Sequence, residues 1–210
     1  MQPTDLPNRD HAIIAILRGI EPNEVEAVGS ALYASGIRVI EVPLNSPNAC
    51  LSISALAAAG YAGCLIGGGT VLKVDEVNEV YAAGGRLIVS PNCNSAVIAR
   101  ALELNMQVMP GVATATEAFS AIEAGARKLK LFPAATYGPR HLRSLRAVLP
   151  DAIEVYPVSG IVAGDIKEWL EAGANGFGFG TEIYRKGYSA AESARRAGEL
   201  VDAYRKASRC

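Results

Sequence analysis

Lys130 is the residue whose type and position most directly indicate chemistry. It lies in the run Leu129-Lys130-Leu131-Phe132, where an apolar strand would be expected. An ammonium inside a packed strand is costly unless it is paired or neutralised. Burial also lowers the pKa of a lysine, which frees the amine as a nucleophile toward a ketone. Lys130 is therefore a candidate Schiff-base residue, and the simpler alternative is a lysine that only extends its amine to the strand end.

Lys128 has the same strand parity as Lys130 and is its rival. It lies about 7 Å nearer the start of the strand, toward the opposite rim of the sheet, where a solvated structural lysine is expected. We therefore assign the chemistry to Lys130.

Glu41 is a charged residue within a second apolar run, Val39-Ile40-Glu41-Val42. Beside a Schiff-base lysine, a carboxylate can act as a general base or proton shuttle. The alternative is an ion pair with Arg18 or Arg38. Arg18 itself ends the first apolar run, where a guanidinium can hold a substrate carboxylate.

Glycines and hydroxyl residues follow several apolar runs, in the pairs Gly69-Thr70, Ser159-Gly160 and Gly180-Thr181. Tight turns explain them, but their N–H groups and hydroxyls also bind anions. Barrels often bind phosphate after strands 7 and 8, which predicts a phosphate site at the last two pairs. No nucleophile triad and no metal-ligand spacing stands out, so neither a metal nor another cofactor is expected.

The elements that position these residues repeat along the chain. Gly36, Gly60 and Gly84 are spaced 24 residues apart, and each follows an Ala-rich segment and precedes a β-prone run. Ala124-Gly125 and Ala172-Gly173 repeat the pattern. Glycine at such a stop takes the left-handed conformation that ends a helix. A helix stop, a strand, a loop and a helix make one βα unit.

Eight such units predict a single (β/α)8-barrel domain over residues 1–210, with a parallel eight-stranded barrel and outer helices. The runner-up is an open doubly wound sheet. The strands are expected at 13–17, 38–42, 64–67, 86–89, 106–109, 128–132, 153–156 and 176–179. The helices are expected at 22–35, 48–58, 75–83, 95–104, 115–124, 139–148, 163–172 and 189–206.

Composition excludes several classes of function. The 20 basic and 21 acidic residues give a net charge of -1, so the chain lacks the excess of positive charge that binding to nucleic acid or an anionic membrane requires. No apolar run reaches transmembrane length. The four cysteines form no C-x-x-C pair, so a reducing, cytoplasmic compartment is the default.

Six segments, taken in order over almost the whole chain, resemble the KDPG/KHG aldolase family. Its members are class I aldolases, which split 2-keto-3-deoxy-6-phospho sugar acids into pyruvate and glyceraldehyde 3-phosphate without metal. The segments are Ile14-Ala15-Ile16-Leu17-Arg18-Gly19, Ile40-Glu41-Val42, Ile66-Gly67-Gly68-Gly69-Thr70-Val71-Leu72, Val89-Ser90-Pro91-Asn92, Met109-Pro110-Gly111-Val112-Ala113-Thr114 and Leu129-Lys130-Leu131-Phe132-Pro133-Ala134.

The resemblance implies a role for each matching residue. The Schiff-base lysine falls on Lys130 and the proton-transfer glutamate on Glu41. The remaining positions imply the pyruvate-carboxylate site at Arg18, Gly69 and Thr70, the pocket lining at Pro91 and Phe132, and the phosphate site at Ser159, Gly160, Gly180 and Thr181. A homotrimer is expected on the resemblance alone.

Two positions point to one branch of the family. Glucose-series members have Arg at the position of Asn45 and Thr at the position of Val158, so this chain resembles the galactose-series branch. Ser159 stands where a glycine is more usual. The alternatives are a gluconate-type aldolase, a non-catalytic barrel that binds a sugar phosphate, and an isomerase or synthase that works without an imine.

Overall fold

The computed structural model describes residues 12–209. Strands and helices alternate along most of the chain. The strands are β1 (Ile13–Ile16), β2 (Val39–Pro43), β3 (Leu65–Gly69), β4 (Leu87–Val89), β5 (Gln107–Met109), β6 (Gly111–Val112), β7 (Lys128–Leu131), β8 (Glu154–Pro157) and β9 (Phe177–Phe179). The helices are α1 (Val25–Ala34), α2 (Ala49–Ala58), α3 (Val74–Ala82), α4 (Ser95–Glu103), α5 (Ala115–Glu123), α6 (Ala134–Arg146), α7 (Ile166–Glu171) and α8 (Ala190–Ala207).

The strands form two parallel sheets. Six strands pair in the order β5-β4-β3-β2-β1-β9, and three pair in the order β6-β7-β8. One face of both sheets points to a shared inner cluster, because successive side chains of a strand alternate between faces. Its buried apolar members are Ile14, Ile16, Val39, Leu87, Val89, Met109, Tyr156 and Val158. The other face packs against the helices in the larger core.

The prediction of a closed eight-stranded barrel is wrong. The six-stranded sheet curls around the inner cluster but does not continue into the three-stranded sheet. The first break lies at Pro110, which has no N–H to donate. The carbonyl of Met109 accepts from Ser90 N, on the β4 side, whereas the carbonyl of Pro110 accepts from Lys130 N, on the β7 side. The predicted fifth strand therefore becomes two, one in each sheet.

The second break lies between β8 and β9. There a single bridge, Val158 with Gly178, replaces a ladder of paired residues. The strand order is thus consecutive around the curl, with β9 beside β1, but the backbone hydrogen bonding is interrupted twice.

The five predicted helix stops are confirmed. The positive φ values occur at Gly36, Gly60, Gly84, Gly125 and Gly173. At Gly36, with φ 95°, the turn lets the N–H of Ile37 donate to the carbonyl of Leu32, so the chain leaves α1 and enters β2. The helices lie where the pattern placed them, except that α6 begins at Ala134 and is kinked at Gly138.

No helix within residues 12–209 is long and apolar enough to cross a membrane.

Candidate active site

Lys130 projects from β7 into the inner cluster. Its neighbours Leu129 and Leu131 are fully buried on the opposite, helix-facing side, which fixes the direction of the lysine. Its side-chain amine lies 4.7 Å from the centre of the Phe132 ring. The residue is 5% exposed, and no described carboxylate oxygen lies within 4.0 Å of Nζ. Burial lowers the pKa of Lys130, Arg18 lowers it further, and Glu41 opposes the shift.

Glu41 faces the same interior from β2 and is 1% exposed. Burial raises the pKa of Glu41 to about 7, against the opposing charges of Lys130 and Arg18. Its Oε2 atom is buried without a hydrogen-bond partner among the described residues. An unpaired buried carboxylate oxygen costs stability, so its place in the interior points to chemistry.

Gly69 provides the space for this carboxylate. A Cβ at residue 69 would collide with both carboxylate oxygens of Glu41. The glycine predicted to bind a substrate carboxylate through its backbone therefore has a second use, since any larger residue would displace Glu41.

Lys128 has the opposite electrostatic surroundings, although it lies two residues away on the same strand. Its amine is 3.3 Å from Glu154 Oε1, and the hydroxyl of Tyr156 donates to the other oxygen at 2.5 Å. The expectation that Lys128 is solvated is wrong, because the residue is 6% exposed. It is a paired lysine, and that leaves Lys130 as the unpaired one.

Arg18 is held by two side chains that sequence reasoning had placed on the substrate. Its guanidinium donates to Asn45 Oδ1 at 2.5 Å and to Thr70 Oγ1 at 3.3 Å. The alternative, an ion pair between Glu41 and Arg18 or Arg38, is not found. Arg18 donates to the two side chains just named, and Arg38 donates to the backbone carbonyls of Tyr33 and Ile37. Asn45 and Thr70 therefore orient Arg18.

A cleft of about 560 Å³ opens above Lys130, within the range of small-molecule sites. Eight of the thirteen predicted site residues line it, namely Arg18, Lys130, Phe132, Val158, Ser159, Gly160, Gly180 and Thr181. The other five are not among the lining residues: Glu41, Gly69, Asn45, Thr70 and Pro91. The backbone of Pro91 packs against Gly111, the register partner of Lys130.

Sequence reasoning missed a group of residues at the outer end of the cleft: Glu182, Tyr184, Arg185 and Lys186. They directly follow Gly180-Thr181 in the sequence, so their proximity to the predicted phosphate site could have been inferred from the chain order alone. No group of three or more His, Cys, Asp or Glu side chains in residues 12–209 is arranged to hold a metal ion.

Comparison with known proteins decides the family. Residues 7–198 match the family model described as "Aldolase: KDPG and KHG aldolase". The chain belongs to this aldolase family. Among its curated members, the 2-dehydro-3-deoxy-6-phosphogalactonate aldolase of Escherichia coli (strain K12) is 46% identical over 195 residues, which are 93% of this chain and 95% of the relative.

Solved structures of the aldolase fold agree closely. One described as native KDPGal is 44% identical, has a TM-score of 0.94 and covers 100% of both chains. Another belongs to a cube-shaped protein cage designed by fusing symmetric oligomeric domains. It is 45% identical with a TM-score of 0.93, and the match covers 95% of this chain and 74% of that one.

Proposed function

We propose that this aldolase is a metal-independent class I enzyme that cleaves 2-dehydro-3-deoxy-6-phospho-D-galactonate to pyruvate and D-glyceraldehyde 3-phosphate. One observation carries the proposal. Lys130 is a buried amine with a lowered pKa and no ion-pair partner, and it lines a cleft within the electrostatic reach of Glu41.

The mechanism follows from the chemistry of that amine. Neutral Lys130 attacks the C2 ketone, and loss of water gives a protonated imine. The imine accepts the electrons of the C3–C4 bond, which breaks when the C4 hydroxyl loses its proton. Glyceraldehyde 3-phosphate leaves. The remaining enamine is protonated at C3, and hydrolysis of the imine releases pyruvate and restores the amine.

Glu41 is the proposed proton acceptor and donor, directly or through water. A general base works best when its pKa is near the working pH, and burial raises the pKa of Glu41 to about 7. The carboxylate also stabilises positive charge on the imine nitrogen.

The remaining assignments divide the cleft into two anion sites. At the inner end, Arg18 binds the substrate carboxylate with Thr70 and the backbone of Gly69, and Asn45 orients Arg18. Phe132 lines the pocket, and the backbone of Pro91 supports it from behind Gly111, the register partner of Lys130. At the outer end, the phosphate is bound by Ser159, Gly160, Gly180 and Thr181.

The non-catalytic sugar-phosphate barrel explains less. Such a protein would need the outer anion donors but not a buried, unpaired Lys130 beside an unpaired Glu41 oxygen. Both groups cost folding free energy, which binding of a phosphate ester at the other end of the cleft does not offset.

The same proposal includes a cytoplasmic location and a homotrimer. A reducing compartment fits the four cysteines, which show no disulfide pattern. Support for an oligomer comes from the relative whose domain serves in a cage of symmetric oligomers. Light scattering of the purified protein should give the mass of three chains, and a monomer mass would contradict the proposed assembly.

Lys130 should carry the covalent intermediate. Borohydride reduction with pyruvate should add one pyruvate-derived group, located by mass spectrometry on the peptide that contains Lys130. Lys130→Met should abolish labelling and turnover while the protein stays folded, because Met fills similar apolar volume and removes a buried amine that has no ion-pair partner.

Lys128→Met is the matched control. It should keep labelling at Lys130 but lower the free energy of unfolding by about 1–2 kcal/mol, since it breaks an ion pair whose glutamate is partly exposed. Labelling at Lys128, or none in the wild type, would refute the mechanism.

Glu41 should control proton transfer without holding the fold together. Glu41→Gln should still form the imine but slow the exchange of pyruvate methyl protons into deuterated water by roughly 10²-fold. In the wild type, exchange at low pyruvate should rise as pH increases through about 7, because only the ionised carboxylate accepts a proton. NMR measures both rates. Unchanged exchange in the variant, or the same pH rise in its residual exchange, would remove Glu41 from the mechanism.

Val158 should influence the choice of sugar. The galactonate and gluconate substrates differ only at the C4 hydroxyl, and Val158 lines the cleft without a group that could bind it. The galactonate epimer should be cleaved efficiently and the gluconate epimer comparably or less well. Val158→Thr should shift the kcat/KM ratio toward the gluconate epimer by about fivefold, the net value of one hydrogen bond. A wild type that strongly favours gluconate would support the alternative branch, and an unchanged ratio in the variant would direct attention to Asn45.

A further inference from the structure

The outer end of the cleft carries an acidic side chain on the groups assigned to the phosphate. The N–H of Gly180 donates to Glu182 Oε2 at 3.1 Å, and the hydroxyl of Thr181 donates to Glu182 Oε1 at 3.2 Å. Both oxygens of one carboxylate therefore engage the two donors that the phosphate requires.

The backbone beneath this contact is firmly held. The N–H groups of Ile183 and Tyr184 both donate to the carbonyl of Gly180, which closes a tight turn. Tyr184 is 2% exposed, and its hydroxyl donates to Glu24 in the loop before α1. The donors thus stay in place while the partly exposed Glu182 side chain is able to turn away from them.

The positive charges at this end are not equivalent. The amine of Lys186 lies 3.3 Å from Glu21 and is paired. Arg185 donates through Nε to the carbonyl of Thr181 at 3.0 Å, and no described carboxylate lies within 4.0 Å of its guanidinium. Arg185 therefore provides the unpaired positive charge that lines the outer cleft.

We infer that Glu182 sets the phosphate affinity of the outer site, because its carboxylate occupies the Gly180 and Thr181 donors until the substrate phosphate displaces it. This inference rests on the proposed function for the identity of the phosphate. Two oxyanions cannot share the same two donors, so binding requires exchange. A phosphate dianion carries more charge and more acceptor oxygens than a carboxylate, and Arg185 favours the additional negative charge.

The exchange makes the site selective for charge. An unphosphorylated sugar acid offers only a neutral hydroxyl at C6, which cannot compete with a carboxylate for charge-assisted hydrogen bonds. Such a sugar therefore leaves Glu182 on its donors and gains no affinity at the outer end. A phosphorylated sugar gains affinity there, less the cost of displacing the carboxylate, so Glu182 sets how tightly the phosphate is held.

The test is the binding of inorganic phosphate, followed by ³¹P NMR with saturating pyruvate present to occupy the inner anion site. Glu182→Gln should tighten phosphate binding by roughly tenfold, because the neutral amide is a weaker competitor than a carboxylate. Arg185→Gln should weaken it. In steady-state assays, Glu182→Gln should lower KM for the phosphorylated sugar acid with kcat within about twofold, since the reacting atoms are untouched.

Glu21→Gln is the matched control, because it removes the same charge from the same end of the cleft without touching the two donors. It should tighten phosphate binding by at most about threefold, as expected for a mainly exposed ion pair. Unchanged phosphate affinity in Glu182→Gln, or equal tightening in Glu21→Gln, would overturn the inference.

Two further measurements separate the possible failures. Borohydride trapping of pyruvate by Glu182→Gln should equal that of the wild type, because pyruvate does not reach the outer end; reduced trapping would indicate a merely structural role and contradict the inference. Phosphate binding needs no turnover. A wild type that cleaves neither sugar would therefore refute the proposed function while the phosphate titration still tested Glu182.

Discussion

The electrostatic coupling of Lys130 and Glu41 in an apolar interior is the interaction on which the rest of the site depends. Each group is nearly fully buried and lacks the close partner that would make burial inexpensive. Burial favours the neutral form of both, and each charge favours the charged form of the other. The pKa of Lys130 is therefore lowered while that of Glu41 is raised to about 7, so the two pKa values lie closer together than those of an isolated lysine and an isolated glutamate.

The surrounding residues preserve this balance. Gly69 leaves the volume that the carboxylate fills, while Phe132 provides an aromatic ring near the amine. Two residues earlier on the same strand, Lys128 forms an ion pair with Glu154. Arg18 contributes a second positive charge, held in place by Asn45 and Thr70 rather than by a carboxylate. It can therefore bind a substrate anion without first breaking an internal ion pair.

Much of this was predictable from local pattern. Lys130 and Glu41 are visible in the sequence because each is a charged residue within an apolar run. The helix ends are visible because a glycine follows each Ala-rich segment. Features that depend on distant partners were not visible. Lys128 is buried because Glu154 is opposite it in the next strand, and the sheet divides at Pro110 because the flanking carbonyls bond to different neighbours. The contacts of Asn45 and Thr70 with Arg18 were not visible either, because they join residues 27 and 52 positions apart.

The division of the strands into two sheets bears on how the chemistry is aligned. Glu41 belongs to the six-stranded sheet and Lys130 to the three-stranded one, so no continuous backbone ladder connects the proposed proton acceptor to the proposed nucleophile. Their separation is set by side-chain packing across the interior, where Tyr156 of β8 and Val158, just beyond its end, share the inner cluster with Ile16 and Met109 of the six-stranded sheet. The packing of this small cluster therefore sets the geometry of the proposed proton transfer. A methyl group added or removed there would change the distance between Lys130 and Glu41 without touching either side chain.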